Sequence, residues 1–67
     1  MFKLDDRVKV VNLHNHPEFN GRIGTCVRSR EKDGKEGWYV QLDKEEEGKW
    51  EELKDENLQK VETEPFV

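Results

Sequence analysis

His16-Pro17-Glu18-Phe19-Asn20-Gly21-Arg22-Ile23-Gly24-Thr25-Cys26-Val27 follows the apolar-alternating run Arg7-Val8-Lys9-Val10-Val11-Asn12-Leu13, and this pair of segments decides the fold. Pro17 has no N–H for a ladder, and Asn20-Gly21 favours positive φ, so the connection from His14 to Asn20 reads as a loop between two strands. Gly21 is expected in the turn. Gly24, lacking a Cβ, is expected where the second strand bends and packs closely against a neighbour.

Outward from this hairpin, the first strand is read as Arg7 to Leu13, with Val8 and Val10 on one face and Lys9 and Val11 on the other. In the second, Ile23, Thr25 and Val27 alternate with Gly24, Cys26 and Arg28. Arg30 to Gly37 reads as a polar connection holding Asp33-Gly34, a two-residue hairpin signal. Trp38 to Leu42 is the third strand, with Trp38, Val40 and Leu42 inward and Tyr39 and Gln41 outward. An acidic turn from Asp43 to Gly48 leads to a fourth strand, Lys49 to Leu53. Lys54-Asp55-Glu56-Asn57 makes a short helical turn before a last strand, Leu58 to Val61. A helix over Lys44 to Lys60 is the weaker reading, because Gly48 interrupts it and Trp50, Leu53, Leu58 and Val61 make a poor helical stripe. The expected core is Val8, Val10, Ile23, Val27, Trp38, Val40, Leu42, Leu53 and Leu58.

With 67 residues the chain is expected to be one domain, residues 1–61, with 62–67 as a C-terminal tail. A domain this small buries only about 60% of the surface its unfolded chain exposes, so its core is small. Charged residues make up 42% and apolar ones 31%, but the apolar residues fall in patterned runs, which favours a folded domain over a solvated tail. The single Cys26 excludes an internal disulfide and leaves a zinc knuckle short of thiols, which fits a reducing compartment. Met1 to Asp6 has no apolar signal core, and no run approaches the roughly 20 apolar residues that cross a bilayer. The expectation is a soluble cytoplasmic protein. Its net charge of −4 divides into +3 over residues 1–35 (eight Lys/Arg, five Asp/Glu) and −7 over residues 36–67 (four against eleven). An acidic total argues against a general nucleic-acid binder, whose phosphate contacts need a basic face.

Five short strands with a turn before the last are the layout of an all-β, five-stranded SH3-like barrel. The loop-then-glycine pattern resembles the KOW-type motif of such barrels. More closely, Pro17-Glu18-Phe19-Asn20-Gly21-Arg22-Ile23-Gly24, Trp38-Tyr39-Val40-Gln41-Leu42-Asp43 and Leu53-Lys54-Asp55-Glu56-Asn57-Leu58 are similar to small barrel modules built on Pro-Glu-Leu-Asn-Gly-Arg-x-Gly. The departures are Phe19 for the usual Leu, and Trp38 at the aromatic position. The similarity spans most of residues 6–61 and implies a fold; such modules share no single activity, so it transfers no site. Asp6-Arg7-Val8-Lys9-Val10, His16-Pro17-Glu18 and Asp55 to Val61 also resemble the variable chain of ferredoxin–thioredoxin reductase and, more loosely, a small barrel protein of photosystem I. That resemblance implies an accessory subunit docked on an electron-transfer partner, without a redox group of its own.

Chemistry-bearing residues are sparse. His14-x-His16 with Glu18 could begin a metal site, but three or four convergent ligands are needed and only Cys26 remains; the simpler reading is a pair of loop histidines. A lone strand Cys is more often a small packed hydrophobe than a reactive thiol. No Ser-His-Asp or Cys-His arrangement and no phosphate-binding glycine loop is present, and a small core leaves little room for a shaped catalytic pocket. No enzyme and no cofactor are expected.

Exposed aromatics are the better clue. With Trp38, Val40, Leu42 and Leu53 inward, Tyr39 and Trp50 point outward from adjacent strands. Beside them Glu45, Glu46, Glu47, Glu51 and Glu52 are expected to supply negative potential, giving a surface for a basic or amphipathic protein segment. The plainer alternative is that Phe19, or Phe66 and Val67 of the tail, cover the pair. The His14–Phe19 loop, with His14, His16 and Phe19, together with Arg22 and Arg28, is the alternative surface. The sequence therefore points to a protein-binding module, with an electron-transfer accessory subunit second and a nucleic-acid-binding KOW-type module third.

Overall fold

The computed structural model describes residues 2–61, so the tail at 62–67, with Phe66 and Val67, lies outside the described residues. Five antiparallel strands, β1 (Arg7–Val10), β2 (Ile23–Lys32), β3 (Lys35–Leu42), β4 (Glu51–Lys54) and β5 (Leu58–Lys60), form one sheet in the order β4-β3-β2-β1-β5. No ladder joins β4 to β5, so the sheet is open where a barrel would close. The expected helical turn before the last strand is a single 3-10 turn at Asp55–Asn57, and a second, Pro17–Phe19, lies in the loop after β1. Among the described residues no helix is long and apolar enough to cross a membrane.

The strand ends have local causes. β1 stops at Val10 rather than Leu13 because Asn12 takes φ 54° and the Asn57 side-chain amide donates to the carbonyls of Val11 (3.3 Å) and Asn12 (3.0 Å) in place of a neighbouring strand. Arg30 to Gly37, expected as a connection, is mostly ladder. Asp33 (φ 53°) and Gly34 (φ 75°) make the two-residue turn that the Asp-Gly pair signals, and positive φ at both positions lets β2 and β3 pair down to Lys32↔Lys35. β4 begins at Glu51 rather than Lys49 and extends to Lys54. β5 ends at Lys60, although Val61 still donates to the Arg7 carbonyl at 2.9 Å. In the first loop, Asn20 (φ −59°, ψ 133°) and Gly21 (φ 90°) form a type II turn closed by Arg22 N–H to Phe19 C=O at 3.0 Å.

The core comprises Val8, Val10, Cys26, Trp38, Val40, Leu42, Leu53 and Leu58, with Phe2, Leu13 and Phe19 packed against it. This corrects the reading of β2: Ile23 and Val27 are only half-buried, and the inward residues are Gly24 and Cys26. Register decides it. Gly24 lies opposite Val8 on one side and Leu42 on the other, and Cys26 opposite Val40, and directly opposed residues share a face. The conformation at Gly24 is ordinary, but a Cβ there would sit 2.7 Å from both the Gln41 carbonyl oxygen and Val40 Cγ1. The missing side chain is what lets β3 approach β2 so closely at that point. Gly37, not singled out in the sequence, is similarly tight: its Cβ would fall 2.6 Å from the Leu53 carbonyl oxygen.

Candidate binding face

The sheet's outer surface is set by a bulge. Between Cys26↔Val40 and Arg28↔Tyr39 the register shifts, so Val27 is an extra residue on β2. Plain alternation would put Cys26 and Arg28 on the same face; the bulge sends Cys26 into the core and Arg28 outward, level with Tyr39. Beyond it, period two keeps Arg30 and Lys32 on the outer face with Arg28, while Ser29 and Glu31 share the other face with Trp38 and Glu36.

On β3 and β4 the same face carries Lys35, Tyr39, Glu52 and Lys54, since Tyr39 pairs with Glu52 and Gly37 with Lys54. Trp50, just before β4, is 44% exposed, and its ring centroid lies 6.2 Å from that of Tyr39 at a 46° tilt. Gln41 fixes its approach: the side-chain amide donates to the Glu46 carbonyl at 3.1 Å, and its oxygen accepts from Gly48 N–H at 2.9 Å, tying the β3–β4 loop to the sheet. A shallow depression beside the aromatic pair is lined by Arg28, Arg30, Glu31 and Lys32, and one next to it by Lys32, Asp33, Lys35, Glu36, Glu52 and Lys54. By register five cations share this face with two aromatics and Glu52, which is ion-paired to Arg30, while Glu31, Asp33 and Glu36 reach the rims of the two depressions.

The structure therefore brings Tyr39 and Trp50 together as the sequence suggested, and of the glutamates expected beside them it pairs Glu52 with Tyr39. Glu45 is held by Arg22, Nη1 to Oε1 at 2.8 Å, which keeps its carboxyl below the usual range through that hydrogen bond. Glu46 and Glu47 lie exposed on the β3–β4 loop, and Glu51 sits opposite the buried Val40, on the face away from Tyr39. The residues the sequence reading passed over are Arg30, Lys32, Lys35 and Lys54, while Arg28 was expected with the alternative loop rather than here. Their signal was present as Arg-x-Arg-x-Lys before an Asp-Gly turn, but the net charge obscured it.

The alternative loop forms a separate, well-tied unit. Phe19 packs against the core, with the His16 ring 5.7 Å away and the Arg22 guanidinium 6.0 Å from its ring centre, so it does not cover Tyr39 and Trp50. His16 lies 3.4 Å from Glu18, and Arg22 also donates to the Asp43 carbonyl at 2.9 Å. His14 faces elsewhere, into a cleft beside β4 that it shares with Leu13, Asn15, Glu52 and Lys54. Among the described residues no group of three or more His, Cys, Asp or Glu side chains is placed to hold a metal ion. The Cys26 thiol is buried in the core and pushed up to about 11, first by burial and then by the charges of Asp6 and Asp55, so it is a neutral packed group at neutral pH. No protein-family model, no curated protein and no solved structure matches this chain.

Proposed function

We propose that the chain is an SH3-like barrel module that acts by binding rather than catalysis, and that its ligand is an acidic protein segment held on the Tyr39–Trp50 face. The barrel reading is supported by β1 lying between β2 and β5 and by the 3-10 turn that leads into β5. The observation that carries the function is that Arg28, Arg30 and Lys32 line one depression with the aromatic pair, and Lys35 and Lys54 lie on the same face. It reverses the charge of the partner expected from Glu45, Glu46, Glu47 and Glu51. Charge is sorted by face at a cost: Lys32 opposes Lys35 and Glu31 opposes Glu36, and like charges directly across a ladder are destabilising. A local rule broken in this way points to selection for the surface rather than for stability.

A second reading rests on the same face. Aromatic platforms beside a row of cations also suit single-stranded nucleic acid, whose bases stack while its phosphates pair. Titration with polyglutamate, oligothymidylate and polylysine separates the possibilities. Binding of polyglutamate that weakens with salt and is lost in Arg28→Glu and Trp50→Ala supports the proposal. Preference for oligothymidylate transfers the face to the second reading, and binding of polylysine alone overturns both.

A further inference from the structure

Arg30 is the centre of the cationic row on β2 and the one member of it already taken. Arg28 and Lys32 stand two residues to either side, roughly 7 Å away along the strand, and among the described residues neither is ion-paired. Arg30 lies opposite Gly37, so β3 puts no side chain between it and β4, and its guanidinium is ion-paired with Glu52, the residue across from Tyr39. The Arg30 side chain is 18% exposed, whereas Arg28 and Lys32 stand out into solvent. All three line the depression that holds Tyr39 and Trp50. Glu31 reaches the rim of that depression, but register turns it to the other face, and Asp33 and Glu36 border the neighbouring one.

The Arg30–Glu52 pair sets a condition on any acidic ligand. A ligand carboxylate that takes Arg30 must displace Glu52, exchanging one carboxylate for another of the same charge and leaving the displaced one beside the ligand, so little is gained. A phosphorylated serine or threonine carries about −1.5 to −2 charges at neutral pH and three acceptor oxygens. Two of these oxygens suffice for the parallel bonds that a guanidinium offers, and the third, with the remaining charge, is left for Arg28 or Lys32. We propose that the acidic segment is a phosphorylated one, its phosphoryl group seated on Arg30 between Arg28 and Lys32 in place of Glu52, with an apolar side chain two residues away on Tyr39 and Trp50. This rests on the acidic-partner reading above and makes it specific. Arg30 reads the phosphoryl group, and Glu52 rejects segments that are merely acidic.

The test uses a blocked peptide, Ala-Phe-Ala-Xaa-Ala-Phe-Ala, in which Xaa is phosphoserine, glutamate or serine. With Phe on both sides, either chain direction brings a ring to the aromatic pair. At about pH 7.5, where the phosphoryl group is largely a dianion, the phosphoserine form is expected to bind at least about tenfold more tightly than the glutamate form, a preference that shrinks at about pH 5. Glu52→Gln tightens the glutamate form and narrows the ratio to about threefold or less, while Glu51→Gln, which removes the same charge from the other face, leaves the ratio unchanged. Equal affinity of the phosphoserine and glutamate forms, with binding still dependent on Trp50 and Arg28, overturns the phosphoryl assignment and leaves the acidic-face reading standing. The same narrowing in Glu51→Gln as in Glu52→Gln traces the ratio to net charge and also overturns it, as does oligothymidylate or inorganic phosphate binding as tightly as the phosphoserine form. Failure of polyglutamate and of all three peptides to bind overturns both readings.

Discussion

At the scale of single residues, glycines and one thiol carry separable constraints. Gly21 has nothing within 4 Å of a built Cβ, so Gly21→Ala meets only the left-handed backbone penalty at φ 90°, about 1 kcal/mol. Gly24→Ala instead drives a methyl into the Gln41 carbonyl and Val40 at 2.7 Å, an overpacking cost of about 1–3 kcal/mol with backbone movement. Urea denaturation should rank Gly24→Ala as the more damaging; the reverse order would mean the sheet relaxes at that point. Cys26 gives a chemical readout. Buried and protonated, it should resist iodoacetamide in the native protein and react on unfolding. Because the folded thiol is raised from 9.0 to about 11, the unfolded chain ionises first as pH rises, and stability should decline above about pH 9. Cys26→Ala should flatten that decline, measured by urea midpoints at successive pH values.

Among the elements, the loop after β1 and the β2–β3 hairpin do different work. The loop is pinned by Asn20, whose side chain satisfies both backbone groups of Leu13. Asn20→Ala leaves these two groups to solvent, since the site is exposed, and should cost about 1 kcal/mol. Its distinguishing effect should be faster hydrogen exchange confined to Leu13–Phe19, with β2 and β3 unchanged. The hairpin instead spaces charge. Val27 is the bulge residue, and deleting it leaves Cys26 inward and Arg28 outward in continuous register. The deletion should therefore preserve the cationic face while reducing local twist, whereas inserting a residue after Val27 should turn Arg28, Arg30 and Lys32 to the other face and abolish polyglutamate binding. Near-wild-type binding by the insertion variant would rule out the face.

Over the whole molecule, a small core leaves stability concentrated in few contacts. Trp38 is 9% exposed and closes one end of the core, so Trp38→Ala should cost about 3–5 kcal/mol, most of what a domain of this size has, and abolish cooperative thermal unfolding. Surface ion pairs modulate the remainder. Arg7 donates to Asp43 and, at 2.8 Å, to Thr25, joining β1 and β2 to the end of β3; that hydrogen bond holds the Asp43 carboxyl below its usual range, with the Arg7, Arg22 and Lys44 charges adding to it. A carboxyl so lowered binds its proton less readily folded than unfolded. Its contribution is complete above about pH 4 and is lost as pH falls through the lowered folded value. Asp43→Asn should flatten the acid side of the stability profile, by a small amount because both partners are well exposed.

What the sequence by itself determined was the set of local signals: Pro17 and Asn20-Gly21 for the loop, Asp33-Gly34 for the hairpin, alternation in Trp38–Leu42, and the turn at Asp55–Asn57. These were legible because turn geometry and side-chain period depend on a few neighbouring residues. The Tyr39–Trp50 pairing was legible for the same reason. The inward turn of Cys26, the half-exposure of Ile23 and Val27 and the turning of Glu51 away from the aromatics were not, because each depends on which residue lies across a ladder. One bulge at Val27 inverts the phase of everything after it, and no local rule marks its place. Net charge misled for a related reason: it sums the chain, whereas binding depends on a face, and only the tertiary register places Arg28, Arg30, Lys32, Lys35 and Lys54 on the same one.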